Sequence, residues 1–192
     1  MKLYLSSYRV PHPEKLFALI GKVPDRATGA IITNAKDRKA PEQREEKLLL
    51  LETFLSSIGL NKTVRINLYN DQFDLADYDY IYVVGGNTFD LRRAMLETGF
   101  DEKLRRYLDY GGVYVGESAG AIVVGPSLRG FEIMDEAPND ALWKGLGIID
   151  TILVPHNDSK EEKFRDRAPG IKERNVGKSV QPLNDDEDYI VS

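Results

Sequence analysis

Val113-Tyr114-Val115-Gly116-Glu117-Ser118-Ala119-Gly120-Ala121-Ile122-Val123-Val124-Gly125 is the stretch from which the fold can be read. Three strand-forming residues run into Gly-x-Ser-x-Gly at 116–120, and a short apolar helix follows. A strand, a sharp turn and a helix are the context in which that motif carries meaning. Gly116 and Gly120 let strand and helix approach closely. The hydroxyl of Ser118 is then presented at the carboxyl end of a sheet strand. The N–H groups and positive dipole end of the next helix point at the same spot. Ser118 is therefore a candidate nucleophile, against the plainer reading of a capping serine in a strand-to-helix turn.

Working outward, strands and helices alternate. Lys2–Ser6, Gly29–Thr33, Thr63–Leu68, Tyr80–Val84 and Ile148–Val154 read as strands. Tyr80–Val84 is apolar throughout, as in a central parallel strand. Helices are expected from Pro13 to Ile20, from Pro41 to about Ser57 with Leu48, Leu49, Leu51, Phe54, Leu55 and Ile58 as an apolar face, from Phe89 to Glu97 and from Asp101 to Tyr110. Ala141–Lys144 reads as one helical turn. Residues 126–139 are irregular, and 159–172 are charged and poorly patterned. Lys178–Pro182 and Tyr189–Val191 read as terminal strands around the turn Asn184-Asp185-Asp186. The alternation predicts a doubly wound, mostly parallel α/β sheet of the flavodoxin-like kind, helices on both faces, in a single domain over residues 1–192.

Bulk properties narrow the function. The chain has 192 residues, 42% apolar and 30% charged, with a net charge of −5. No basic surplus is available for nucleic acid or an anionic membrane. The absence of cysteine removes disulfides, thiolate metal sites and cysteine nucleophiles. The first residues lack the apolar core of a signal peptide, and no run approaches the roughly 18 residues of a membrane span. A cytoplasmic protein is expected.

Ligands in open α/β sheets bind beyond the carboxyl ends of the strands. Three suggestive stretches fall there, after Val84, Val115 and Val154. A serine nucleophile needs a base. Of the two histidines, His12 sits in a proline-flanked loop, whereas His156 follows a buried strand at the same sheet edge as Ser118. Glu132, Asp135, Glu136, Asp140, Asp150 and Asp158 are candidates for the carboxylate that would orient it. The N–H of Ala119 can donate to a developing oxyanion. Gly85-Gly86-Asn87-Thr88 can supply a second donor, although a Gly-Gly turn before a helix also cradles phosphates.

Tyr82–Phe89 (Tyr-Val-Val-Gly-Gly-Asn-Thr-Phe), Gly116–Ile122 and Leu153-Val154-Pro155-His156 together resemble the peptidase E family, the serine peptidases that contain α-aspartyl dipeptidase and are related to cyanophycinase. The resemblance covers nearly the whole chain. It implies a three-layer sandwich like that of class I glutamine amidotransferases, with serine in place of cysteine. It also implies Ser118 as nucleophile, His156 as base, Asp135 (then Glu132) as the acid, Gly86 and Ala119 as oxyanion donors, and Asn87 and Thr88 as substrate-binding residues. Specificity for N-terminal aspartate would need a cation, and Arg165, Arg167 and Arg174 are available beyond His156. A further terminal strand or hairpin of some relatives is expected to be missing after Val191. The expected activity is hydrolysis of dipeptides or short peptides by a monomer or homodimer, without metal or cofactor. The alternatives are a non-catalytic ligand-binding module and an esterase or amidase acting on non-peptide substrates.

Overall fold

A computed structural model describes residues 1–192. Its central sheet has six strands in the order β3 (Lys62–Ile66), β2 (Thr28–Ile32), β4 (Tyr80–Val83), β5 (Val113–Glu117), β1 (Lys2–Ser6) and β8 (Asp188–Val191). All neighbours are parallel except β8, which runs antiparallel to β1. Helices α1 (Pro13–Ile20), α2 (Pro41–Ser57), α3 (Thr88–Glu97), α4 (Phe100–Asp109) and α5 (Ala119–Ile122) flank it. This is the expected α/β sandwich. Strands β2, β4 and β5 are buried almost throughout, which is why their sequences lack polar alternation. On α2, Leu48, Leu51 and Leu55 are buried, but Leu49, expected on the same face, is half exposed. No helix is long and apolar enough to cross a membrane.

Three expectations are corrected. The strand ending at His156 is only β6 (Thr151–Val154), and it pairs with β7 (Ser179–Pro182) in a separate parallel two-stranded sheet. That sheet closes a second apolar cluster containing Phe89, Ile122, Leu128, Phe131, Ile152 and Ile171. The two terminal strands therefore do not pair with each other: β7 joins β6, and β8 joins the edge of the main sheet. Residues 141–144 form no helix. Lys144 bridges to Ser127, the Trp143 carbonyl accepts from the Leu128 amide at 2.9 Å, and the Trp143 ring packs edge-on against Phe89. In the stretch without clear pattern, α6 (Ala168–Arg174) forms around one buried side chain, Ile171.

Candidate active site

Ser118 is held by close backbone packing. A side chain at Gly116 would meet the Gly120 carbonyl oxygen at 2.6 Å, so the turn closes only with glycine there. Ser118 adopts φ 50° and ψ −107°, a conformation that an L-residue keeps only when its surroundings impose it. Here they do. Its amide donates to the Ser6 carbonyl at 3.0 Å, and its own carbonyl accepts from Ala121 at 2.8 Å and Ile122 at 2.9 Å.

His156 arrives from the end of β6, also with positive φ (62°). Its Nε2 lies 2.9 Å from Ser118 Oγ. Its Nδ1 lies 2.6 Å from Asp185 Oδ1. A carboxylate can only accept, so Nδ1 carries the proton and Nε2 of the neutral ring accepts from the serine hydroxyl. The ring also packs against Phe164, with centroids 5.4 Å apart.

The carboxylate on His156 is Asp185, not Asp135 or Glu132. Asp135 Oδ2 accepts from the Thr88 amide at 2.9 Å and the Thr88 hydroxyl at 2.6 Å. Burial raises its pKa, opposed by those two bonds and by Lys163. Glu132 accepts from the Gly130 amide and pairs with Arg174 at 2.6 Å. Asp185 sits in the turn between β7 and β8. That turn reaches the site because β8 lies beside β1, with Asp188 opposite Ser6.

Ser7 gives no signal in the sequence. Fully buried just after β1, its hydroxyl donates to Asp185 Oδ1 at 2.8 Å and accepts from the His156 amide at 2.6 Å. It thus ties the histidine backbone to the carboxylate that faces the histidine ring.

The loop after β4 supplies Gly86 and Asn87. Neither the Gly86 nor the Ala119 amide is committed to a protein acceptor. Asn87 caps α3, accepting from the Phe89 and Asp90 amides at 3.0 Å each, and donates to the Glu136 carbonyl at 2.9 Å. Thr88, expected to line the pocket, is fully buried with its hydroxyl on Asp135. Of the arginines beyond His156, Arg167 donates to the carbonyls of Lys163 and Glu162 and Arg174 pairs with Glu132, while Arg165 is exposed. No group of three or more histidine, aspartate or glutamate side chains is arranged to hold a metal ion. A cleft of about 710 Å³ between Phe73, Lys103, Tyr107 and Val113 lies at the opposite end of β5 from Ser118 and is separate from this constellation.

A model of peptidase family S51 matches residues 33–191. The chain belongs to peptidase family S51. An uncharacterized peptidase of Listeria monocytogenes is 33% identical over 117 residues, which are 59% of this chain and 56% of its own length. Peptidase E of Streptomyces coelicolor is 31% identical over 105 residues, 48% of this chain and 42% of its own length. The chain thus spans about half the length of these relatives. A Listeria monocytogenes protein solved as a candidate peptidase E superposes with a TM-score of 0.78 at 25% identity, covering 99% of this chain and 93% of that one. A peptidase from an acI-B1 actinobacterium shares the fold, with a TM-score of 0.71 at 18% identity over 95% of this chain and 80% of that one.

Proposed function

We propose that this family S51 protein is a serine exopeptidase hydrolysing dipeptides or short peptides. The observation that carries the reading is the unbroken chain Ser118–His156–Asp185, at 2.9 and 2.6 Å, at the carboxyl ends of the strands. Ser118 Oγ attacks the scissile carbonyl while His156 Nε2 takes its proton. Asp185 keeps the imidazole in the required tautomer and stabilises the imidazolium. The Gly86 and Ala119 amides, both without protein acceptors, hold the oxyanion. His156 protonates the departing amine. Water, activated by the same nitrogen, then adds to the acyl-enzyme and releases the acid and free Ser118.

Asp135 takes a different part in this reading from the one the sequence implies. Its Oδ1 has no protein partner, and the carboxylate stands at the start of α3, two residues beyond Gly86. It suits the α-ammonium group of a short substrate. An acidic first residue would be met by Lys163, which acts electrostatically on Asp135 and lies over the ring of Phe164, itself packed on His156.

A fluorophosphonate probe followed by intact-mass measurement, with a dipeptide panel alongside, tests the assignment. One adduct on the wild type, none on Ser118→Ala, and turnover lost in the same variant are expected. An equal adduct on Ser118→Ala refutes the nucleophile. Turnover of acyl esters alone would make the protein an esterase. Ligand-induced thermal stabilisation without turnover would make it a binding module.

A further inference from the structure

The loop carrying the Gly86 amide poses a physical problem. Gly85 and Gly86 are adjacent, so the peptide unit between them meets little steric resistance to flipping. A flip would exchange the Gly86 N–H for the Gly85 carbonyl, an acceptor where the proposed mechanism needs a donor. Something must hold this one peptide plane.

Lys36 is placed to do so. It ends the short helical turn Asn34–Lys36 that follows β2. Its Nζ donates to the Gly85 carbonyl at 2.6 Å. In a trans peptide the C=O and the following N–H point in opposite directions in one plane, and no cis peptide is present. Fixing the Gly85 oxygen on Lys36 therefore aims the Gly86 hydrogen away from Lys36. The loop's position is set on the same turn. The Asn87 amide donates to the Ala35 carbonyl at 2.7 Å, and a Cβ on Gly86 would lie 2.0 Å from that oxygen. Gly85 in turn stands over the nucleophile, since a Cβ on it would fall 3.0 Å from Ser118 Cβ and 3.6 Å from Ser118 Oγ.

The choice of lysine is otherwise hard to account for. Lys36 is half-buried and forms no ion pair. Burial lowers its pKa, Glu117 on β5 opposes that, and Lys39, just before α2, and Lys47 on α2 add to it. Burying an ammonium group without a carboxylate in contact costs stability, and the hydrogen bond it makes is to the Gly85 carbonyl.

We infer that Lys36 is a positioning residue that clamps the Gly85–Gly86 peptide and aims and polarises the Gly86 N–H for the oxyanion. This rests on the serine-hydrolase reading of Ser118. Lys36 touches no substrate atom; it acts through the peptide. A cation on the carbonyl oxygen also withdraws electron density from the amide, which strengthens its N–H as a donor.

Lys36→Met keeps most of the side-chain volume and removes the charge, whereas Lys36→Arg keeps the charge. The rate of fluorophosphonate inactivation and kcat should fall about 10- to 100-fold in Lys36→Met, part of the loss expected for removing a whole oxyanion donor. KM should stay within about twofold and melting temperature should be little changed. Lys36→Arg should recover most of the rate. Independently of activity, the Gly85 carbonyl carbon and Gly86 nitrogen resonances of the wild type should move together as Lys36 loses its proton in alkaline solution. That titration should vanish in Lys36→Met. A Lys36→Met protein that reacts within about twofold of wild type overturns the clamp. So does a wild-type Gly85–Gly86 signal that ignores the alkaline titration. A wild type that the probe never modifies instead overturns the Ser118 reading, which the resonance measurement tells apart.

Discussion

Replacing Asp185 by asparagine separates the acid that the geometry brings to His156 from the one that the motifs imply. The amide is nearly isosteric, so the turn between β7 and β8 should stay folded. Its chemistry is inverted at one position, because the nitrogen facing His156 Nδ1, now 2.6 Å from a carboxylate oxygen, would be a donor. The imidazole would answer by placing its proton on Nε2, where it can no longer accept from Ser118 Oγ. If the amide flipped to present its oxygen, the tautomer would survive but the negative charge that stabilises the imidazolium would be gone. A fully buried triad carboxylate replaced in this way loses about 10⁴-fold in kcat. Asp185 is 45% exposed, so water supplies part of the stabilisation, and the hydroxyl of Ser7 remains at 2.8 Å from the altered group. The expected loss is therefore about 10²- to 10³-fold. Because no substrate needs to be known for it, the assay is the second-order rate of fluorophosphonate labelling at Ser118, with melting temperature as the control for folding. Asp135→Asn should label at nearly the wild-type rate and instead raise KM for short peptides. Labelling that survives in Asp185→Asn but collapses in Asp135→Asn would refute both assignments together.

Two further perturbations probe the same frame. In Gly86→Ala the backbone φ of +153° is unfavourable for an L-residue, and the new methyl carbon would sit 2.0 Å from the Ala35 carbonyl oxygen. Stability should fall by about 1–3 kcal/mol. Its labelling rate should fall at least about tenfold; a stable variant with normal reactivity would show that this loop does not supply the oxyanion donor. Asp188 governs acid stability at the foot of β8. Burial pushes its pKa up, but bonds from Lys15 at 2.8 Å, His12 at 2.6 Å and Tyr4 at 3.0 Å outweigh it, so the folded-state value lies below the ordinary one. A depressed carboxylate stabilises the fold above its unfolded pKa, about 3.9, and that contribution is lost as pH falls through the folded value. Asp188→Asn should thus lower the melting temperature at pH 7, the gap to wild type closing below about pH 4. A gap that stays constant into acid would refute the role of its charge.

The parts of the site legible in the sequence are those whose function needs a local backbone shape. Ser118 is readable because a side chain presented on so sharp a turn requires small residues on both sides, and the Gly85-Gly86 loop for a similar reason. His156 is readable because it ends an apolar strand run. Asp185 and Ser7 belong to a different category. Each is an ordinary residue in an ordinary turn, and its importance comes from strand order, which local pattern does not encode. The turn at Asn184–Asp186 is visible as a turn. Its place beside His156 depends on β8 leaving β7 and running antiparallel to β1. The same holds for the fold. The parallel α/β class follows from alternation, but the detachment of β6 and β7 into a second sheet follows from the apolar cluster around Phe89, Leu128 and Phe131. Helix α6 is hidden because a single buried side chain, Ile171, makes no periodicity.

The end of β1 explains how the fold holds a strained pair in register. Ser118 and His156, the two residues between which the proposed mechanism passes a proton, both have positive φ, a state that relaxes unless opposed. They follow strands of different sheets, β5 and β6, and meet only in space. The two consecutive residues Ser6 and Ser7 hold both. The Ser6 carbonyl takes the Ser118 amide at 3.0 Å, and the Ser7 hydroxyl takes the His156 amide at 2.6 Å. The same Ser7 hydroxyl donates to Asp185, so Ser118, His156 and Asp185 are all referred to one dipeptide. That dipeptide can reach all three only from where it stands, since β1 has β5 on one side and β8 on the other. Ser118 comes off the carboxyl end of β5, and Asp185 lies just before the amino end of β8. Because β8 is antiparallel, those two ends lie at the same edge of the sheet. Had β8 been parallel, the turn preceding it would have opened at the far edge, and Asp185 would have stood a full strand length from His156. The reversal of one edge strand is therefore a condition for bringing Asp185 to the pair Ser118–His156.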